Sequence, residues 1–361
     1  MVERVYNFYA GPATLPLPAL EKAQEELLDF AGTGMSILEI SHRSKEYDKV
    51  HNEATDLVRE LMGVPEDYKI LWLQGGASTQ FYMVPLNLRI PGKPIQFVDT
   101  GAWTSKALKE AKLYGDVQVI ASSADEKYSY IPRGVSFSDD ALYGHIASNN
   151  TIYGTEWHDW PDVPDDVPLV CDFSSDMMAR EINVNDFGVI FAGAQKNLGP
   201  AGVTLVIVRE DLLDRVPEDT PTLLKWKTEA EKNSLFHTPP CFAIYVCKLA
   251  LDYWKGEGGI SEIEKRNRAK AKVLYDAIDS SDGFYNGHAR KDSRSLMNVT
   301  FRLPSEDLEK KIIEEGTSRG LVGLKGHRSV GGMRASIYNA MPKAGVEALA
   351  DFLVEFKEKH E

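Results

Sequence analysis

The segment GVIFAGAQKNLGPAGVTLVIV, Gly188–Val208, carries the most structural information in the sequence. Two apolar runs flank a Gly-Pro turn, which predicts a buried strand that ends just before Lys196 and a second strand after the turn. Desolvation at a strand end lowers the pKa of a lysine and makes its neutral amine available for Schiff-base chemistry. A lone lysine beside a turn is more often solvated and inert, so the functional interpretation depends on partners elsewhere in the chain.

Further short apolar runs alternate with amphipathic helical patterns such as Trp103–Tyr114. Alternating strands and helices imply crossover connections, and therefore an α/β fold with a mostly parallel sheet that has helices on both faces. The predicted buried strands are Lys69–Leu73, Ile95–Asp99, Val117–Ala121, Leu169–Asp172 and Val189–Gly193.

The second part of the chain predicts a smaller α/β domain. A helical pattern over Phe242–Lys255 ends at Gly256, and Ser261 with Glu264 has the spacing of a capping box that opens a new helix. We therefore predict a large domain over residues 16–257 and a small C-terminal domain over residues 258–361. Residues 1–15 are expected to form an N-terminal segment that packs with the small domain. Within the small domain we predict strands at Leu296–Phe301 and Met333–Tyr338, a helix from about Ser305 and a final helix from about Lys343.

Composition restricts the class of protein. With 361 residues, 43% of them hydrophobic, the chain can bury a sizeable core. Its net charge of -13 disfavours binding to nucleic acid or to an anionic membrane. No apolar run is long enough to span a bilayer and the first residues are no secretory signal, which predicts a cytoplasmic protein. Three cysteines, Cys171, Cys241 and Cys247, are too few for a disulfide framework and lack metal-ligand spacing, so no metal site is predicted.

Candidate partners of Lys196 follow other predicted strands. Asp172 ends one strand, and a buried carboxylate there suits pyridoxal 5'-phosphate because it keeps the pyridine nitrogen protonated. Trp103 follows another strand, where an indole could stack on a flat heteroaromatic ring. Thr151 could offer a hydroxyl to the ring oxygen. A capping aspartate, a core tryptophan and a strand-end threonine remain open as alternatives for each residue alone.

A third feature is the strand that runs into Gly75–Gly76 and then into a helical pattern. Free backbone N–H groups at such a helix start would hold a phosphate. The spacing matches neither the dinucleotide motif nor the P-loop, which disfavours nucleotide binding. An ordinary strand-to-helix turn remains the alternative.

Basic residues form the last group: His42–Arg43 near the N-terminus, and His327–Arg328 with Arg334 near the C-terminus. Arginine forks bind carboxylate and phosphate in a two-pronged fashion, so this set suits a substrate that carries both groups. Surface charge is the alternative for any one of them.

Taken together, these motifs resemble the phosphoserine aminotransferases, a family in class V of the pyridoxal-phosphate enzymes. The resemblance spans nearly the whole chain, and it rests on Asn7–Ala13, Ser41–Ser44, Val84–Leu88, Gly193–Asn197, Gly199–Gly202, Thr238–Pro240 and Gly326–Asn339.

The resemblance implies the aspartate-aminotransferase-like fold (fold type I) and a homodimer whose two active sites are each built from both chains. It implies that Lys196 is the Schiff-base lysine, with Asp172 and Trp103 as further catalytic groups. One expectation departs from the family, which commonly has asparagine where this sequence has His237; a titrating imidazole there would make cofactor retention pH-dependent. The implied cofactor contacts are Gly76, Ala77, Trp103, Thr151, Asp172, Gln195, Lys196, His237 and Thr238 (the last from the partner chain), and the implied substrate contacts are His42, Arg43, His327, Arg328 and Arg334.

The reaction implied by the resemblance transfers the amino group of L-glutamate to 3-phosphohydroxypyruvate, giving 2-oxoglutarate and O-phospho-L-serine, with Lys196 as both base and acid. A second substrate in pyridoxine synthesis, 4-phosphohydroxy-L-threonine, is left open. Three alternatives remain: an alanine:glyoxylate aminotransferase, a cysteine desulfurase and a non-catalytic cofactor-binding protein. The positions of the cysteines disfavour the desulfurase, which needs a thiol on a mobile loop.

Overall fold

The strands of the protein lie close to the apolar runs that predicted them. The computed structural model describes residues 4–361, and only the first three residues of the predicted 1–15 segment lie outside that range. Its strands are β1 Tyr6–Asn7, β2 Tyr68–Leu73, β3 Ile95–Asp99, β4 Val117–Ser122, β5 Tyr143–Ala147, β6 Asn149–Asn150, β7 Thr155–Glu156, β8 Leu169–Asp172, β9 Val189–Gly193, β10 Thr204–Arg209, β11 Asn286–Gly287, β12 Asn298–Arg302, β13 Leu321–Val322 and β14 Met333–Ser336.

The helices occupy the amphipathic segments between these strands. Their apolar positions recur with helical spacing, so each helix turns one stripe of side chains toward a sheet or another helix. They are α1 Leu17–Glu25, α2 Lys45–Met62, α3 Gly76–Leu88, α4 Ala102–Ala111, α5 Glu210–Leu213, α6 Trp226–Glu231, α7 Cys241–Gly256, α8 Gly259–Asp279, α9 Glu306–Ser318 and α10 Lys343–His360.

A seven-stranded sheet, in the order β2-β10-β9-β8-β5-β3-β4, forms the centre of the larger part of the molecule. Only β10 runs against the others, which confirms the prediction of a mostly parallel sheet. Alternate residues of β9 pack in two different cores, Ile190 in one and Phe191 in the other. Both faces of the sheet are therefore covered, and the carboxyl ends of six strands meet at one edge.

A second core lies in the C-terminal part of the chain. It is built from Phe8 and from residues between Ala271 and Phe356, around the three-stranded antiparallel sheet β11-β12-β14. Strand β1 pairs in parallel with β13, which brings the N-terminal segment onto this core. The division into residues 1–15, 16–257 and 258–361 stays a prediction, and these contacts support it.

Two local predictions were wrong. Strand β4 was expected to be buried, but it is the edge strand of the large sheet and Val119 on it is 48% exposed. Helix α8 begins at Gly259, after Gly258 at φ 103°, so Ser261 lies inside the helix and does not cap it. A glycine in the left-handed region ends α7 and starts α8 within two residues, and the capping-box spacing is incidental.

None of the helices described between residues 4 and 361 combines the length and the apolar composition that a membrane span requires.

Candidate active site

Lys196 lies in the turn between β9 and β10, at the carboxyl edge of the large sheet. Its side chain is partly buried, and its Nζ donates a hydrogen bond of 2.6 Å to Thr151 Oγ1. Burial lowers the pKa of Lys196 to about 8; nearby Asp172 opposes this shift and Arg334 adds to it. The neutral amine is therefore far more populated near neutral pH than in a solvated lysine, which favours a nucleophilic role.

Asp172 is the last residue of β8, next to β9 in the sheet. It is 6% exposed, and its Oδ1 accepts a hydrogen bond of 2.9 Å from the Ser174 N–H. Burial raises the pKa of this carboxyl, whereas Ser174 and Lys196 hold it down. A carboxylate and an amine thus face the same crevice from adjacent strands, as the sequence predicted.

Trp103 lies in the first turn of α4, directly after β3. The Nζ of Lys196 is 5.4 Å from the centroid of its indole ring, and the Nζ of Lys106 is 4.2 Å from it. The indole Nε1 is buried and has no hydrogen-bond partner among residues 4–361. Gly101 allows the close approach at the helix start, because a Cβ there would lie 2.8 Å from Asn150 Oδ1.

Arg334, on β14, reaches the same crevice from the C-terminal part of the chain. Its Nη1 donates to the Thr151 carbonyl oxygen at 3.3 Å, and its Nε is buried without a partner in the described part of the chain. Burial lowers the pKa of the guanidinium, and no carboxylate of residues 4–361 counteracts that shift. Since arginine stays charged in proteins, this is a half-buried cation with no acidic partner in the described chain.

His327 lies beside Arg334. Burial lowers the pKa of its imidazole, and the charges of Arg334, Arg328 and Lys106 add to that shift. His327 Nδ1 is 2.7 Å from Ser329 Oγ, while Arg328 is exposed. The C-terminal basic motif therefore borders the cluster of Lys196, Thr151 and Arg334.

The turn at Gly75–Gly76 leads from β2 into α3, again at the carboxyl edge of the sheet. Gly75 has φ 87° and a Cβ there would collide with Thr79, at 1.6 Å from its Oγ1. A Cβ on Gly76 would meet nothing within 4 Å, so open space lies in front of the helix start. Gly76 and Ala77 are partly buried, and no side chain of the described residues caps the helix. Its first N–H groups are thus available to an anion.

Gln195 precedes Lys196 in the turn. Its carbonyl oxygen accepts a hydrogen bond of 2.9 Å from the Ala13 N–H, and its side-chain Oε1 lies over Gly193, where a Cβ would approach it to 2.7 Å. The backbone of Gln195 is therefore tied to the N-terminal segment, and its amide side chain lies beside Gly193 and is only partly buried.

His42, Arg43, His237 and Thr238 form a different group, which we call the outer basic group. His237 Nε2 is 2.6 Å from Gln74 Nε2, and its Nδ1 is 3.6 Å from a carboxylate oxygen of buried Glu229. Burial lowers the pKa of His42, and the charges of Arg43 and His237 add to that shift. Arg43 and Thr238 are exposed. No hydrogen bond or ion pair within residues 4–361 joins this group to Lys196.

Several residues that hold Lys196 in place were not predicted from the sequence. A Cβ on Gly11 would lie 3.3 Å from Lys196 Cγ, so the N-terminal segment packs directly on the lysine. Tyr338 donates to the Ala10 carbonyl oxygen at 2.7 Å, and Asn197 Oδ1 accepts from the Asn339 N–H at 3.0 Å. The available signal was that Asn7–Ala13 and Gly326–Asn339 stood out as motifs although no role was given to these residues.

Known proteins have a similar sequence and a closely similar fold. The family model for class-V aminotransferases matches residues 5–349. The phosphoserine aminotransferase of Lysinibacillus sphaericus is 53% identical over the full length of both chains. The solved phosphoserine aminotransferase of Bacillus circulans subsp. alkalophilus is 51% identical, with complete coverage of both chains and a TM-score of 0.98. A phosphoserine aminotransferase structure that describes radiation damage of the Schiff base is 51% identical over 99% of this chain and all of the other, with a TM-score of 0.97.

The chain belongs to the class-V aminotransferases, and its cofactor is pyridoxal 5'-phosphate. Within that class it belongs to the phosphoserine aminotransferase family, with which it shares half or more of its residues from end to end. The residues present fit the cofactor: the indole of Trp103, whose N–H has no partner in the described chain, and the buried carboxyl of Asp172 lie near the amine of Lys196, and the open space before Gly76 lies at the same edge of the sheet. The match to these solved structures also confirms the predicted fold class.

Proposed function

We propose that this aminotransferase carries the amino group of L-glutamate to 3-phosphohydroxypyruvate, releasing 2-oxoglutarate and O-phospho-L-serine. The observation that carries this proposal is Arg334, a half-buried cation beside Lys196 with no acidic partner among residues 4–361. Both amino acids and both oxo acids carry an α-carboxylate, which an arginine fork binds in two-pronged fashion. His327 and Arg328 lie beside it as candidates for the substrate phosphate.

Bound pyridoxal 5'-phosphate would supply an electron sink for the substrate α-carbon. Asp172 is proposed to bind the pyridine nitrogen, because its buried carboxyl stands next to Lys196 and would keep that nitrogen protonated. Trp103 would cover one face of the ring, and Thr151 would donate a hydrogen bond to the ring oxygen. Gly76, Ala77 and Gln195 would bind the cofactor phosphate, two of them through the free N–H groups at the start of α3.

Lys196 is proposed to move the proton. With cofactor and substrate bound, its neutral amine would take the proton from the substrate α-carbon, and the protonated amine would give that proton back later in the reaction. A single lysine then acts as base and acid, which fits a pKa of about 8. The contact of Nζ with Thr151 Oγ1 keeps the amine on the side of the crevice where Arg334 would hold the substrate carboxylate.

The outer basic group supports a shared site. Arg43 and Thr238 are exposed, and no described contact connects His42, Arg43, His237 or Thr238 to Lys196. We therefore propose a homodimer in which Arg43 and His42 of one chain meet the substrate phosphate in the partner's site and Thr238 meets the partner's cofactor phosphate. His237 would assist Thr238 in place of the usual asparagine.

The alternatives are disfavoured by particular residues. A cysteine desulfurase needs a mobile reactive thiol, but Cys171 and Cys247 are buried and burial raises the pKa of both thiols. An alanine:glyoxylate enzyme has no use for two His-Arg motifs, because its substrates lack phosphate. Three statements stay predictions: use of 4-phosphohydroxy-L-threonine, a cytoplasmic location, and the absence of nucleic-acid or membrane partners.

The proposal is tested by incubating the purified protein and pyridoxal phosphate with O-phospho-L-serine and 2-oxoglutarate, and by measuring the glutamate formed. L-serine and L-alanine serve as matched amino donors without phosphate. We expect glutamate only with phosphoserine. Preference for serine or alanine would contradict the phosphate assignment but not the role of Lys196, whereas a protein that binds cofactor yet forms no glutamate would favour the non-catalytic alternative.

A further inference from the structure

Helix α8 carries a lysine that no part of the proposed reaction uses. Lys270 is 2% exposed, and its Nζ lies within hydrogen-bond distance of four backbone carbonyl oxygens of a single short segment, residues 337–341. The distances are 3.0 Å to Ile337, 2.7 Å to Tyr338, 3.3 Å to Asn339 and 3.2 Å to Met341. The segment thus wraps its carbonyl groups around one ammonium.

This arrangement is a cation site and not an ion pair. No carboxylate of the described residues is among the groups that act on the charge of Lys270. Burial lowers its pKa to about 7, with a smaller contribution from Arg266, while carbonyl dipoles favour the charged form. An ammonium has three N–H donors for these carbonyl oxygens, whereas a neutral amine has two. A buried carbonyl oxygen left without a donor is destabilising.

The segment that Lys270 holds leads directly to the active-site lysine. The Asn339 N–H donates to Asn197 Oδ1 at 3.0 Å, and Asn197 follows Lys196 in the chain. The Asn197 side chain also donates to the Ser175 carbonyl oxygen at 3.0 Å. The Tyr338 hydroxyl donates to the Ala10 carbonyl oxygen at 2.7 Å, next to Gly11, which packs on the Lys196 side chain. Two short paths therefore connect residues 337–341 to the position of Lys196.

We propose that Lys270 is a positioning residue: its ammonium acts as a built-in cation that folds residues 337–341 around itself, and through Asn339 and Tyr338 this segment sets the position of Lys196 at the cofactor. The proposal rests on the role given to Lys196 above. It adds a residue outside the crevice on which that role depends.

A cavity makes the proposal testable by chemical rescue. Lys270, Asn339 and Met341 line a cavity of about 870 Å³ between α8, the end of α7 and the N-terminal segment. Truncation of Lys270 to alanine opens space for a small cation at the carbonyl oxygens, and the cavity provides its route of entry. Methionine in the same place fills that space and carries no charge.

The experiment compares Lys270→Ala, Lys270→Met and the control Lys265→Ala, which truncates a lysine of the same cavity wall whose only ion pair among residues 4–361 is with Glu262 at 3.6 Å. Two quantities are measured: the rate at which cofactor-free protein captures pyridoxal phosphate, followed by absorbance, and kcat with phosphoserine. We expect both to fall about 10- to 100-fold in the two Lys270 variants, because small displacements of a reacting group cost that much. Ammonium or methylammonium ions should restore both quantities in the Ala variant in a saturable manner. The same ions should leave the Met variant and the wild type unchanged.

Normal capture rates in both Lys270 variants would overturn the proposal, and so would a loss in the Ala variant that ammonium ions do not reverse. If both variants fail to fold, Asn197→Ala interrupts the path at its other end and has to show the slow capture; a normal rate there contradicts the proposal. The capture rate needs no substrate. If the wild-type protein captures the cofactor but does not turn over phosphoserine, the proposed substrate is wrong. The capture rates of the Lys270 variants would still test the role of Lys270.

Discussion

The cluster around Lys196 and the outer basic group differ in how far a single chain completes them. Lys196, Asp172, Thr151 and Arg334 are buried or half-buried and linked by short contacts, such as the 2.6 Å hydrogen bond from Lys196 to Thr151. In the outer group Arg43 and Thr238 are exposed. One chain therefore supplies the groups that would act on the cofactor ring and the α-carboxylate, and the groups assigned to phosphate remain partly unused within it.

The difference has a physical origin. Parallel strands bring their carboxyl ends to one edge, so residues from β3, β8 and β9 meet without help from another chain. The Ser41–Ser44 motif instead precedes α2, which packs mainly on α7, and no hydrogen bond or ion pair among residues 4–361 joins it to Lys196. The lack of such a contact within one chain is the basis for the proposed dimer.

The largest effect should come from Lys196→Ala. Loss of the amine removes both the cofactor bond and the proton carrier, so kcat should fall about 10⁴-fold, the upper end for general acid–base catalysis, while some cofactor remains bound through the groups around it. Lys106→Ala is the matched control, since its Nζ lies 4.2 Å from the same indole but carries no role in proton transfer. Single-turnover kinetics with phosphoserine measure the loss. Full activity in the Lys196 variant would contradict the mechanism.

Arg334→Met should have the next largest effect. It removes the charged hydrogen bonds to the α-carboxylate, so kcat/KM should fall about 100-fold for both glutamate and phosphoserine. Arg43→Met should instead lower kcat/KM only for the phosphorylated substrate. Steady-state kinetics with the two amino donors separate the two variants. Equal losses for both donors in the Arg43 variant would remove the assignment of Arg43 to phosphate.

Mixed dimers test whether the two groups meet across an interface. One chain carries Lys196→Ala and the other Arg43→Met. If a site uses the lysine of one chain and the arginine of its partner, one intact site forms, and the mixed dimer should reach about half the wild-type activity although both parents are poor. Differently tagged chains allow its purification. Activity no higher than that of the Arg43→Met parent would show that each chain uses its own Arg43.

How much of the site could be predicted from the sequence depends on how far apart along the chain the interacting residues lie. The strand ends that carry Lys196, Asp172 and Trp103 follow from local apolar patterns and from the geometry of parallel sheets. The support of Lys196 by Gly11, and the carbonyl cage of Lys270, depend on contacts between segments far apart in the chain. Lys270 lies in an ordinary amphipathic helical pattern, and nothing in its local sequence distinguishes it from the exposed lysines of α8.

A smaller effect concerns the electrostatics inside the Lys196 cluster. Asp172 raises the pKa of Lys196 and Arg334 lowers it, around a value of about 8. Asp172→Asn should therefore move the midpoint for cofactor capture by the neutral amine to lower pH, and Arg334→Met should move it to higher pH. Stopped-flow absorbance of cofactor-free protein with pyridoxal phosphate across pH 6 to 10 measures both. Shifts in the same direction for the two variants would contradict the assigned charges.

The smallest effect belongs to the outer group, at His237. Its imidazole lies between Gln74 and the buried carboxyl of Glu229, and burial raises the pKa of that carboxyl while His237 opposes the shift. The asparagine of His237→Asn can still donate a hydrogen bond to phosphate, whereas His237→Ala removes the donor. Cofactor retention should therefore be nearly unchanged in His237→Asn and fall about 3- to 10-fold in His237→Ala, the loss of one hydrogen bond. Equilibrium dialysis of the cofactor measures both, with His42→Ala as the comparison because His42 is assigned to the substrate. Full retention in His237→Ala would remove His237 from the cofactor site and leave Thr238 as the only residue of the outer group assigned to the cofactor.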